Sequence, residues 1–160
     1  MTSDASPSLK GNPLAHRTFF SFHYERDVQR ASVVRKSSQF KDNITPEWID
    51  ASLWEATKPS DSAIRTLIGN ALDRTTVTAV LIGSSTANRR WVQYEIEQSI
   101  SRGNGLFGIY IHNIRGFNGM TDARGANPLP TWAATYDWVY DNGHDNLGRW
   151  VDLAYARRSA

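Results

Sequence analysis

One stretch, Thr76 to Gly103, constrains the fold more than any other part of this 160-residue chain. It opens with an almost unbroken apolar run, Val77 to Ile82, which stops at Gly83. A short apolar run that ends at glycine is typical of a strand buried on both faces of a parallel sheet. Polar turn residues follow, and the period then changes to that of a helix whose inward face is made by Val92, Ile96, Ser99 and Ile100. The stretch therefore predicts a strand, a tight loop and a helix.

The same patterns predict four further strands, at 18–22, 47–50, 106–112 and 136–140. Three further helices are predicted, at 28–36, at 61–72 with a cap at 60 or 61, and at 145–157. Asp27 is predicted to cap the first of these three helices. This alternation predicts an α/β fold with a central, mostly parallel five-stranded sheet and helices on both faces. Residues 1–16 are predicted to be a flexible leader and residues 17–158 a single domain, with an unusually long loop at 113–135.

Composition and missing motifs exclude several classes of function. The chain has no cysteine, which excludes disulfides and thiolate chemistry and is compatible with the cytoplasm, where we expect the protein to be. The net charge of +2 comes from scattered basic residues, so we expect no nucleic-acid partner. No segment is apolar enough to span a membrane, and the four histidines lack metal-ligand spacing, so no membrane or metal is expected. Signatures of dinucleotide oxidoreductases, P-loop NTPases and α/β-hydrolases are absent.

The best candidate for chemistry is a carboxylate just beyond the central strand. Open α/β sheets bind ligands at the carboxyl ends of their strands. Trp91 and Glu95 follow that end, four residues apart and therefore on one side of the predicted helix. At ~100° per residue, Glu95 lies about 60° from the centre of the apolar stripe, at the border of the core. A carboxylate in that position needs a functional or structural reason.

Side chains near the predicted sheet edge suit a nucleotide. Aromatic rings that could stack on a flat base are those of Phe22, Tyr24, Trp54 and Trp91. Groups that could hydrogen-bond sugar or phosphate are those of His23, Asp50, Ser84 and Ser85. A single glutamate beside such groups suits cleavage of an N-glycosidic bond, since a carboxylate stabilises the cation-like sugar. A leaving base that is already cationic, such as nicotinamide, departs neutral and needs no general acid.

The residues by themselves leave other interpretations open. Glu95 could pair with Arg89 or Arg90 on a solvated helix face. His23 and Tyr24 could be ordinary surface loop residues. Trp54 could fold back onto the core, as large aromatic side chains usually do.

Two motifs resemble those of TIR domains. The segment RTFFSFHYERD (17–27) is similar to their first strand and the loop after it, and WVQYEI (91–96) is similar to their helix motif, with tryptophan four residues before glutamate. The resemblance is closer to the TIR-like proteins of Thoeris anti-phage systems, the ThsB family, over residues 17–152. The segments that carry it are FFSFHY, DASLWE, VTAVLIGSSTANRRWVQYEIEQSI, GNGLFGIYIHNI and YDWVYDNG.

This resemblance implies a flavodoxin-like TIR fold and an enzyme that has NAD as its substrate and needs no cofactor. The implied product is a cyclic ADP-ribose isomer, which would activate a separate effector protein. Glu95 would be the catalytic residue, and the implied substrate-binding residues are Phe22, His23, Tyr24, Asp50, Trp54, Ser84 and Trp91. The segment from Asp50 to Trp54 matches the start of the loop that gates the site and mediates assembly in TIR domains.

The resemblance also implies a homo-oligomer or a phage-derived activator, and it shows one departure. Many enzymatic TIR domains carry basic residues after the first strand, where this chain has His23 and Tyr24. Two other functions share the architecture. One is a non-catalytic TIR or receiver-like module that works by assembly, and the other is a nucleoside deoxyribosyltransferase-like enzyme with a glutamate nucleophile.

Overall fold

The computed structural model describes residues 17–38, 45–47 and 60–158. The predicted leader (1–16), Asp50 and Trp54 lie outside the described residues. The strands are β1 (Arg17–Ser21), β2 (Thr45–Glu47), β3 (Val77–Ile82), β4 (Gly105–Tyr110) and β5 (Ala134–Asp137). The helices are α1 (Tyr24–Ser38), α2 (Asp61–Asp73), α3 (Arg90–Ser101) and α4 (Gly143–Ala156), with a short 3₁₀ turn at Thr86–Asn88.

The five strands form one sheet in the order β2-β1-β3-β4-β5, and every neighbouring pair is parallel. The predicted α/β class and five-stranded sheet are confirmed, with β5 at an edge. This is the flavodoxin-like order, in which the chain runs outward from β1 to β2 and then returns to β3 on the other side of β1. Ligands of such sheets bind at the carboxyl edge where this reversal occurs, which here lies between β1 and β3.

The reversal also decides which helix covers which face. A right-handed crossover from β1 to β2 puts α1 on one face, while crossovers in the opposite direction put α2 and α3 on the other. On the first face, α1 and α4 bury a cluster that includes Ala31, Val34, Leu147 and Val151. On the second face, α2 packs mainly against β1, and α3 packs against β3 and β4.

The central strand β3 is buried along its whole length, as predicted. Its side chains alternate between the faces, so that Val77, Ala79 and Leu81 pack with α1 and α4, while Val80 and Ile82 pack with α3. The one polar residue in the strand interior, Thr78, is bonded to Ser99 of α3 with an oxygen–oxygen distance of 2.7 Å.

The structure corrects the predicted start of the first helix. It begins at Tyr24 rather than Val28, and Asp27 lies inside it with 1% of its surface exposed, so the prediction that Asp27 caps the helix is wrong. Asp27 shares the buried helix face with Ala31 and Val34, at i, i+4 and i+7.

Other element ends differ by a few residues, as is usual when periodicity alone sets a boundary. β4 ends at Tyr110 rather than His112, and β5 runs from Ala134 to Asp137 rather than from 136 to 140. α4 begins at Gly143 and ends at Ala156. β2 covers 45–47, and residues 48–50 of the predicted second strand lie outside the described residues.

Two predicted helix ends are confirmed in detail. The Ser60 hydroxyl accepts a hydrogen bond from the Ala63 amide at 3.1 Å, which caps α2. Gly103 adopts φ of 73° just beyond Arg102, the C-cap of α3, where glycine is favoured because it lacks a Cβ. These two ends set the lengths of the helices that pack behind the candidate site.

Two adjacent positions of α2 provide a test of this packing. Ile68 is fully buried against β1, whereas Leu67, which has the same apolar character, is 42% exposed. We expect Ile68→Ala to lower the free energy of unfolding by about 2–5 kcal/mol, because it leaves a cavity, and Leu67→Ala to lower it by less than about 1 kcal/mol. Denaturant unfolding monitored by circular dichroism measures both, and equal losses would contradict the assignment of the buried face.

Candidate active site

Glu95 lies at the carboxyl end of β1, close to where the strand order reverses. It is 2% exposed, and Ser21, the last residue of β1, donates a hydrogen bond from Oγ to Glu95 Oε1 at 2.5 Å. Because side chains alternate along β1, Ser21 lies on the same face as Phe19, which packs against α2 and the start of α3. The helix that follows β3 therefore delivers a carboxylate to the end of β1, 74 residues away in sequence.

The alternative in which Glu95 forms a surface ion pair is wrong. Its side chain is buried, and Arg90 instead pairs with Asp61 of α2, with 2.5 Å between Nη2 and Oδ2. Burying a carboxylate costs free energy unless hydrogen bonds compensate, and Ser21 supplies one such bond. The carboxylate is thus held in one place, at the edge where ligands of this sheet order bind.

Trp91 lies one helical turn before Glu95 but belongs to the core. Its ring is 3% exposed and packs in the cluster formed by β1 and α2. Tyr94 meets it edge-on at 5.5 Å between centroids, and the Arg90 guanidinium lies 4.5 Å from its centroid. These contacts give Trp91 a structural role behind Glu95, and its contact with substrate stays a prediction.

The segment after β1 packs partly on the α1 and α4 face of the sheet. Phe22 is 8% exposed and packs, together with Tyr24, against the cluster on the α1 and α4 face. Their ring centroids are 6.3 Å apart. His23 is half-buried, and its carbonyl accepts the Asp27 amide at 2.9 Å, which helps to begin α1. All three therefore lie at the carboxyl edge of β1, while their contacts with substrate stay predictions.

Ser84, beyond the end of β3, is half-buried and already hydrogen-bonded. Its hydroxyl accepts from Arg26 Nε at 2.7 Å and donates to Asp122 Oδ2 at 3.2 Å. Arg26, in the first turn of α1, also donates from Nη2 to Asp122 at 2.7 Å. The chain has His23 and Tyr24 where many enzymatic TIR domains carry basic residues, and Arg26 supplies a basic group at this edge.

Asp27 is a second buried carboxylate at the same edge, on the α1 face. It lies under the loop after β3, so closely that a Cβ at Gly83 would overlap its carboxylate. The Thr86 hydroxyl lies 3.4 Å from Oδ2, and Oδ1 has no hydrogen-bond partner among the described residues. Burial raises the pKa of Asp27 to about 6, although the charges of Arg26 and Arg30 act in the opposite direction.

Two cavities lie among the described residues, and the second of them borders Arg26 and Asp122. One, of about 340 Å³, is at the opposite, amino edge of the sheet, between the ends of α3 and α4 and the aromatic rings of Trp132 and Tyr136. The other, of about 390 Å³, lies between α1 and the loop after β4 and is lined by polar groups that include Arg26 and Arg30.

The described residues contain no cluster of histidine and carboxylate side chains that could hold a metal ion. Among the described helices, none has both the length and the hydrophobicity to cross a bilayer.

Sequence reasoning missed Ser21, Arg26 and Asp122 among the four residues that organise this edge, and it gave the fourth, Asp27, the wrong role. Two of them carried a usable signal. Ser21 is the polar residue within the apolar segment TFFSF, and Asp27 lies at helical spacing from Ala31 and Val34. The pairing of Arg26 with Asp122 spans 96 residues and has no local signature.

The buried Asp27 predicts a particular dependence of stability on pH. Because its pKa is raised in the folded state, the fold binds this proton more tightly than the unfolded chain does, so stability is lost as pH rises from about 4 to about 6. We expect Asp27→Asn to remove this loss and to be more stable than the wild type at pH 7 by of the order of 2 kcal/mol. The exposed Glu25→Gln, on the same helix, is the matched control. Denaturant unfolding between pH 4 and pH 8 measures the free energy of unfolding of each protein. If the free energies of wild type and Asp27→Asn differed by the same amount at every pH, the prediction would be contradicted.

Comparison with known proteins identifies the family. The family model described as "Thoeris protein ThsB, TIR-like domain" matches residues 19–115. A protein of Bacillus cereus (strain MSX-D12), ThsB1, named as a proposed cyclic ADP-D-ribose synthase, is 48% identical over 141 residues, which cover 86% of this chain and 72% of that protein. The 2-1-3-4-5 sheet and the buried Glu95 beside Ser21 fit the fold that the sequence resemblance implies. The chain belongs to the ThsB family of TIR-like domain proteins.

Proposed function

We propose that this protein is an NAD-processing enzyme of anti-phage defence that releases nicotinamide and makes a cyclic ADP-ribose isomer. The observation that carries the proposal is the buried Glu95 carboxylate, hydrogen-bonded to Ser21 at the carboxyl edge of β1. Membership of the ThsB family and the name of the Bacillus cereus relative support the same chemistry.

The first step breaks the bond between nicotinamide and its ribose. The bond's electron pair leaves with the pyridinium ring, so nicotinamide departs neutral and needs no proton. Positive charge develops on the ribose, and Glu95 stabilises it while accepting hydrogen bonds from ribose hydroxyls. A carboxylate that water does not screen is more effective in this role, since electrostatic interactions strengthen at low dielectric.

The second step decides the product. A hydroxyl oxygen of the other ribose attacks the anomeric carbon, a new C–O bond forms, and the hydroxyl proton is released. The result is a cyclic ADP-ribose isomer. If water attacks instead, the product is linear ADP-ribose, so cyclisation requires a cleft that folds the dinucleotide and excludes water.

The substrate contacts are part of the proposal. Nicotinamide and its ribose lie near Glu95, with His23 and Tyr24 on the β1 side and Ser84 on the β3 side. Phe22 and Trp91 support these groups from the core, and Asp50 and Trp54 belong to the segment that gates the site.

The partners are also part of the proposal. The cyclic product diffuses to a separate effector protein and activates it, so the two proteins need no lasting contact. A phage-derived signal or assembly of several copies switches the enzyme on.

Replacing the proposed catalytic carboxylate tests this function directly. We expect Glu95→Gln to lower nicotinamide release by about 100-fold or more, because the isosteric amide carries no charge to stabilise the cationic sugar. The matched control is Glu97→Gln, two residues along the same helix, where the side chain is exposed. Purified protein with NAD, with and without lysate of phage-infected cells, is assayed for nicotinamide and for cyclic and linear products by mass spectrometry.

Several outcomes would contradict the proposed function. A Glu95→Gln variant that released nicotinamide at the wild-type rate would remove Glu95 from catalysis. A covalent sugar adduct on Glu95 with deoxynucleosides as substrates would instead identify a transferase. Circular dichroism of both variants checks that the fold is retained.

Ser21 is expected to position Glu95 rather than to react. A hydrogen bond to a charged group contributes about 1.5–3 kcal/mol, so we expect Ser21→Ala to lower the rate of nicotinamide release by about 10-fold or more. Ser32→Ala, which removes a hydroxyl bonded to the Gln29 carbonyl within α1, is the control and should keep the wild-type rate. Steady-state assays measure both rates, and an unchanged rate for Ser21→Ala would show that Glu95 holds its position without this bond.

A further inference from the structure

We propose that Asp122 is a positioning residue that determines how much cyclic and how much linear product forms. It does so by fixing the loop between β4 and β5, residues 113–133, as a wall over the carboxyl edge of β3. We call this loop the strap. The inference rests on the proposed function, because it concerns which nucleophile completes that reaction.

The first part of the strap is attached to α1. Arg30 donates from Nε to the Ile114 carbonyl at 2.7 Å and from Nη2 to the Met120 carbonyl at 3.1 Å. The Gln29 side chain accepts the Phe117 amide at 2.9 Å. Since these bonds reach the backbone of the strap, they fix its path and not just the position of a side chain.

Asp122 then joins the strap to the edge of the sheet. Its Oδ2 accepts from Arg26 at 2.7 Å and from Ser84 at 3.2 Å, and its amide donates to the His112 carbonyl at 2.8 Å. Burial by itself would raise the pKa of Asp122, but the Ala123 amide together with Arg26, Ser84 and Arg30 holds it below its ordinary value. Asp122 is therefore charged at neutral pH, and one carboxylate connects the strap, α1 and the loop after β3.

Beyond Asp122 the strap passes tightly over the end of β3. The backbones of Gly125 and Gly83 approach so closely that a Cβ at Gly125 would overlap the Gly83 carbonyl oxygen. The guanidinium of Arg124 lies 4.3 Å from the ring centroid of Tyr110, at the end of β4. The strap thus covers the ends of β3 and β4.

The strap ends on the helix that carries the proposed catalytic residue. Leu129 is 7% exposed and packs with Val92 and Ile96, which flank Glu95 along α3. The strap therefore connects α1, the end of β3 and α3, and it lies on the β4 side of the position proposed for the substrate. A wall at this place restricts where water can approach the sugar after nicotinamide has left.

The consequence concerns the second step of the reaction. A ribose hydroxyl and a water molecule compete for the same anomeric carbon, and either forms one C–O bond and releases one proton. Breaking the bonds of Asp122 frees the strap from Arg26 and Ser84, admits water and relaxes the folding of the dinucleotide. The ratio of linear to cyclic product reports this competition separately from the rate of nicotinamide release. That rate should also fall, because Asp122 and Arg26 hold Ser84, a proposed substrate contact.

The experiment compares Asp122→Ala and Arg26→Gln, which break the same bond from its two sides, with Thr121→Ala. Thr121 is the exposed neighbour of Asp122 on the strap and serves as the matched control. Mass spectrometry measures total nicotinamide and the ratio of linear to cyclic product from NAD. Hydrogen exchange of the amides at 122–125 measures whether the strap has been released, independently of activity.

We expect Asp122→Ala and Arg26→Gln each to raise the ratio of linear to cyclic product by about fivefold or more. Faster exchange at 122–125 should accompany this change, and Thr121→Ala should match the wild type in all three measurements. An unchanged product ratio in variants whose strap exchanges faster would overturn the inference while leaving the proposed function intact. A wild type that makes no cyclic product under any condition would overturn both.

Discussion

A carboxylate that the fold removes from water is the constraint on which the arrangement of this edge depends. Glu95 is 2% exposed and is bonded to Ser21 at 2.5 Å. A charge in such a position is tolerated only when its neighbours are fixed and hydrogen-bonded. The bond joins the end of β1 to the middle of α3, and the cluster of β1, α2 and Trp91 fills the space behind it. The position of this carboxylate and the packing of the core behind it therefore depend on each other.

Gly83, directly after β3, is in close contact with two other segments of the chain. Asp27 of α1 and Gly125 of the strap both lie against it. A side chain at Gly83 would overlap the Asp27 carboxylate, and a side chain at Gly125 would overlap the Gly83 carbonyl oxygen. Because Ser84 follows directly, its hydroxyl is presented from a loop whose backbone has little freedom.

Much of the fold and the main catalytic candidate could be predicted because their signals are local. The apolar run of β3, the helix α3 and the glycine after it each depend on neighbours within a few residues, and all three are confirmed. Of the residues predicted on the inward face of α3, Ile100 is the exception, since it is 44% exposed. Glu95 was identified because a carboxylate at the border of an apolar stripe is anomalous, and its burial is confirmed. The predicted start of α1 is wrong because Asp27 is not a cap. Its spacing to Ala31 already indicates that both residues lie on the buried face of the helix.

The sequence by itself determined the alternation of strands and helices, the class of sheet, the family and the helix that carries Glu95. Only the tertiary structure decided that Ser21 is the partner of Glu95, that Trp91 packs into the core, and that Asp122 joins the strap to Arg26 and Ser84. The physical reason is range. Periodicity and capping act between residues that are close in the chain, whereas hydrogen bonds between buried or half-buried side chains depend on which strands become neighbours, and the reversal of strand order between β1 and β3 brings distant segments together.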